Sequence, residues 1–75
     1  MSKDLFIEML TVSKTKHTII TDSTELVAYK HKLPTAETII HVENTRNELN
    51  ASKYCYSYWI FDKDQQFLGV YHYEC

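Results

Sequence analysis

Glycine and proline are nearly missing, with one of each, Gly69 and Pro34, in 75 residues. That excludes collagen-like repeats and flexible linkers. With a single glycine there is also no Gly-rich loop to cradle a nucleotide phosphate. Cysteine is scarce: Cys55 and Cys75 fall short of the roughly four or more that a small secreted scaffold carries. A basic excess is absent too, since eight Lys and Arg stand against ten Asp and Glu, for a net charge of −2. A dedicated DNA binder draws much of its affinity from phosphate neutralisation, so this balance speaks against that class. Two short clusters, Lys14, Lys16 and His17, then Lys30, His31 and Lys32, read as solvated turns.

Long apolar runs are missing as well. Nothing approaches the ~18 residues of a membrane span, and no charged segment followed by an apolar core opens the chain, so no secretory signal is expected. The expectation is a cytoplasmic protein with free thiols, no membrane partner, no cofactor and no metal. In that setting the triplet Asn50, Ala51, Ser52 matches the glycosylation pattern by chance. Seven of the eight basic residues are Lys, and Ile and Tyr occur six times each. That bias fits an A- and T-rich coding sequence and hints at a viral or mobile-element accessory gene.

What is present is globular. Apolar residues make up 44% and charged residues 24%, enough to exclude full disorder. The length predicts one domain spanning residues 1–75 with one thin core. Such a core leaves little room for a deep catalytic cleft.

Along the chain, residues 4–12 alternate as Leu5, Ile7, Met9, which predicts a strand; a short helix from Ser2 is the rival. Residues 17–21 carry Ile19 and Ile20 between threonines, a β-branched strand signal. Asp22 to Glu25 is either a bend within a strand or a capped helix start. The strand is preferred for residues 26–30; in a helix, Leu26, Tyr29 and Leu33 would share a face. Pro34 suits a first helical turn, and Ile39, Val42, Arg46 and Leu49 follow at spacings of 3, 4 and 3. A helix over about 35–50 is predicted, with a strand at 38–42 as its rival.

Residues 54–61 and 67–74 are alternating aromatic runs around Asp62 to Gln66, which predicts a β-hairpin. Loops of two or four residues put Cys55, Ser57, Trp59, Phe61, Leu68, Val70 and His72 on one face. Tyr54, Tyr56, Tyr58, Ile60, Phe67, Gly69, Tyr71 and Tyr73 then share the other. A loop of three or five residues would mix the two sets. The predicted fold is therefore a small α+β domain: an antiparallel β-sheet in ββαββ order, with one helix packed on the Trp59 and Phe61 face.

The tyrosine face is the candidate binding surface. Tyrosine offers contact area at low entropic cost and a hydroxyl that tolerates water. With one helix to cover one face, Tyr54, Tyr56, Tyr58, Tyr71 and Tyr73 would await a partner. The expected function is a small non-catalytic interaction module, an inhibitor or adaptor, that docks this face onto a larger protein or a second copy of itself. The bland alternative is that tyrosines are good strand formers packed on cross-strand neighbours. The rival function is a single-stranded nucleic-acid binder that stacks bases on the same rings; the nearby Asp62, Asp64 and Glu74 disfavour it. Cys55, His72 and Cys75 match no standard zinc spacing. Cys55, His72 and Glu74 make a nominal catalytic trio without an oxyanion hole. No enzyme is expected.

Overall fold

Ser2 opens the first element. Its hydroxyl accepts from the Leu5 N–H at 3.2 Å, an N-cap that satisfies one of the free donors of a first helical turn. The helix, α1, runs Lys3–Val12 and buries Phe6 and Leu10, one turn apart on one face. It ends as Lys14 takes a left-handed φ of 57°, while Lys14 and Thr15 N–H return to the Thr11 and Leu10 carbonyls. That paired closure is a recurrent helix stop. The chain then enters strand β1, Lys16–Ile20.

Asp22 caps the second helix, accepting from the Thr24 N–H at 3.1 Å. This helix, α2, spans Ser23–Lys30, with Glu25 in its first turn and Lys30 in its last, both favoured by the helix dipole. Three strands follow: β2 Ala36–Glu48, β3 Ala51–Asp62 and β4 Phe67–Glu74. They complete an antiparallel sheet in the order β1-β2-β3-β4. The computed structural model describes the backbone of residues 1–48 and 51–74 and the side chains of residues 1–43 and 55–71.

The α+β class and the antiparallel sheet agree with the sequence; the order of elements does not. It is αβαβββ rather than ββαββ. Residues 4–12 form a helix, because the pair Phe6 and Leu10 outweighs the alternation. Residues 23–30 also form a helix, and Leu26, Tyr29 and Leu33 meet in one cluster. The expected helix over 35–50 is instead strand β2. Ile39 and Ile40 are both essentially fully buried, and adjacent strand residues point to opposite faces. A central strand needs apolar side chains on both sides, and this pair of isoleucines supplies them.

The hairpin forms where expected, with a different tip. Asp62 and Gln66 close a turn of residues 63–65, with Asp62 N–H donating to the Gln66 carbonyl at 3.0 Å. The Asp62 carboxylate accepts from the N–H groups of Asp64 and Gln66 at 2.8 and 2.9 Å, and Gln65 takes a φ of 64°. Phe61 therefore faces Phe67, and a bulge then restores Ile60 opposite Gly69, Trp59 opposite Val70 and Tyr58 opposite Tyr71. Phe67 and Leu68 consequently exchange faces relative to the expected grouping. Phe67 packs on Trp59 and Phe61, whereas Leu68 joins the cluster beneath α2.

Both faces of the sheet carry a helix. On one, α1 sets Phe6 and Leu10 against Ile40 and Phe61, with Trp59 beside them. On the other, α2 sets Leu26 against Ala36, Ile39 and Ile60. The α1 start is tied to the hairpin tip. Lys3 N–H donates to the Gln65 carbonyl at 3.1 Å, and the Gln65 amide donates to the Asp4 carboxylate at 2.9 Å.

Candidate functional site

The tyrosines gather on the α2 face. Tyr58 and Tyr71 are direct cross-strand partners, and Tyr29 reaches down from α2 to both. Its ring centroid lies 5.7 Å from Tyr71, edge-on, and 6.5 Å from Tyr58. Tyr56, two residues from Tyr58 and so on the same face, meets it edge-on at 6.0 Å. His41, opposite Tyr58 in β2, stacks on it at 4.7 Å with an interplanar angle of 18°. The stacked His41–Tyr58 pair and the edge-on Tyr29–Tyr71 and Tyr56–Tyr58 pairs are arrangements that aromatic quadrupoles prefer. Gly69 makes room for one of them. A Cβ there would sit 3.1 Å from the Tyr71 ring.

Of the five tyrosines expected at the site, the structure brings Tyr56, Tyr58 and Tyr71 together. Tyr54 lies opposite Thr45 in β3 and Tyr73 lies in β4; their side chains fall outside the described residues, as does that of His72. The face is not bare, because α2 covers part of it and leaves Tyr56, Tyr58 and Tyr71 half-buried. Tyr29, Glu25 and His41 are additions. The signal for the first two was present in the capped-helix pattern from Asp22, since Glu25 and Tyr29 are four residues apart and share a helix face. His41 carried no signal, because its role depends on β2 being a strand.

Between α2 and the sheet lies a cavity of about 190 Å³, lined by Glu25, Tyr29, Ile39, Tyr56 and Tyr58. Burial, then the neighbouring Tyr58 phenol and the Glu25 carboxylate, hold the Tyr29 phenol above its ordinary range. Glu43 sits across from Tyr56 in the ladder. Its carboxylate takes the Lys16 ammonium at 3.2 Å, and His41 Nδ1 lies 3.9 Å from it. His41 Nε2 is buried and has no hydrogen-bond partner among the described residues, an unusual state that costs about 1–3 kcal/mol.

The remaining candidates for chemistry centred on Cys55. Cys55 is buried and disulfide-bonded, so the expectation of free thiols fails there; Cys75 lies outside the described residues. A disulfide sulfur is neither a thiolate ligand nor a nucleophile. Among the described residues no group of three His, Cys, Asp or Glu is placed to hold a metal ion, and no helix is long and apolar enough to cross a membrane. The arrangement suits contact: aromatic area, an aliphatic floor and carboxylates at the margin. Comparison with protein-family profiles, curated proteins and solved structures finds no significant match for the chain.

Proposed function

We propose that the chain is a small non-catalytic interaction module, an inhibitor or adaptor, that docks its tyrosine face onto a larger protein. The carrying observation is the continuous ring cluster of Tyr29, Tyr56, Tyr58 and Tyr71, which opens into a cavity beside α2. Half-buried tyrosines, rigid and amphipathic, are what protein interfaces enrich at their centres. Single-stranded nucleic acid, the rival occupant, would require cations where Glu25 and Glu43 stand. A second copy of the chain is the alternative protein partner. The cytoplasmic expectation brought free thiols with it, and a bonded Cys55 does not match that part, since disulfides persist in oxidising compartments.

The test compares two surfaces. Affinity capture and light scattering would use the wild type, Tyr56→Ala and Val12→Asp. Val12 lies on the outer face of α1, where Leu5 and Met9 are also exposed. Docking through the tyrosine face predicts that Tyr56→Ala loses the captured partner or the self-association while its circular dichroism is unchanged, and that Val12→Asp keeps it. The reverse pattern would move docking to α1.

A further inference from the structure

We propose that the cavity between α2 and the sheet receives one basic side chain, arginine ahead of lysine, from the protein partner. This deepens the docking function proposed above and rests on it.

The lining selects the charge. Of the five described residues that line it, three are phenol rings, one is a carboxylate, Glu25, and the last is Ile39; none of these five is a cation. Aromatic faces carry negative potential and attract cations within about 6 Å of the ring centroid. Here the rings come from two elements: Tyr29 from α2, and Tyr56 and Tyr58 from β3. Glu25 stands one helical turn before Tyr29. The field it contributes is already felt, because it helps to keep the Tyr29 phenol protonated. A cation placed there would be stabilised by the same field that disfavours a phenolate. An anion would meet Glu25, with Glu43 beyond Tyr56 on the same face.

Size and shape agree. A cavity of about 190 Å³ is below the ~300–1,000 Å³ of sites for drug-sized ligands, and it holds the volume of roughly six waters at ~30 Å³ each. That is the scale of one long side chain. Ile39, buried at the floor, matches the methylene stem of such a residue, whose charged head would stay toward the rim. Arginine is favoured because a planar guanidinium stacks on rings and can bond a carboxylate with two donors. Lys16 does not fill this role internally, since its ammonium is bound to Glu43.

The experiment uses the intact, oxidised chain with labelled tyrosine rings. N-acetyl-arginine methylamide, its lysine counterpart and its neutral citrulline counterpart are titrated by NMR. The expected result is saturable shifts of Tyr29, Tyr56 and Tyr58 in the millimolar range for arginine, with citrulline about five- to tenfold weaker. Glu25→Gln, a change at an exposed position, should weaken arginine about threefold or more and leave the remaining spectrum in place. Equal binding of arginine and citrulline, or shifts that do not centre on these rings, would overturn the proposal. The docking function fails separately. If the arginine probe does not bind while Tyr56→Ala still abolishes partner capture, docking stands and the cationic occupant falls. If Tyr56→Ala has no effect on capture either, both fall.

Discussion

The two faces of the sheet use the same strands for different ends. Under α1 the contacts are apolar: Phe6, Leu10, Ile40 and Phe61 are all buried. The one indole N–H there is satisfied by donating to the Ser57 hydroxyl at 2.8 Å. Under α2 the buried side chains are smaller, Leu26, Ala36, Ile39 and Ile60, and around them lie half-buried tyrosines and aliphatics, a stacked histidine with an orphaned nitrogen and a cavity. Close packing is where deletion costs most, whereas unfilled aromatic and polar surface is where a ligand gains most. The α1 face buries the larger side chains, and the α2 face carries the surface proposed above to dock a partner.

The sharpest way to break this comparison is to truncate one ring on each face. Phe61→Ala should lower stability by about 3–5 kcal/mol, enough to unfold much of a domain this small. Tyr56→Ala, half-buried at the cavity, should cost about 1–2 kcal/mol and act mainly on binding. Urea midpoints for the pair check both values, and equal losses would erase the division of labour. Next in size is the covalent tie. Cys55→Ser, or reduction of the wild type, should cost about 2–4 kcal/mol, measured by thermal unfolding with and without reductant; an unchanged midpoint would mean the bond does not support the fold.

A smaller change should move the other way. Replacing His41 with Phe keeps a ring against Tyr58 and removes the orphaned Nε2, so His41→Phe is expected to stabilise by about 1 kcal/mol. Destabilisation would show that the imidazole contributes more than its stacking. The smallest effect is alkaline. Below the ordinary phenol value of about 10, Tyr29 is neutral in both folded and unfolded chains and its contribution is fully present. As pH rises through its raised folded value, the unfolded chain has already ionised, so stability falls. Tyr29→Phe should flatten that loss above about pH 10, and an identical alkaline slope in both proteins would remove Tyr29 as its source.

The local order of residues determined much of the C-terminal half. Aromatic alternation across residues 54–61 and 67–74, broken by Asp62 to Gln66, has no helical counterpart, and a β3–β4 hairpin follows with Tyr58 and Tyr71 on one face. The β-branched run at Ile19 and Ile20 likewise settled β1. Length and composition limited the chain to a small globular fold. The tertiary structure decided the rest, because those segments fit two periodicities nearly equally. Residues 4–12 alternate yet also place Phe6 over Leu10; only a Trp59 and Phe61 surface to bury that pair, and Gln65 to bond the free N–H groups of Lys3 and Asp4, makes the helix the better state. Residues 36–42 are spaced for a helix yet carry consecutive isoleucines; only helices on both sides of the sheet turn that pair into a central strand. The candidate site inherits this ambiguity. Its tyrosines on β3 and β4 were legible in the sequence, but Glu25, Tyr29 and His41 joined them only once α2 and β2 took the forms that long-range packing imposed.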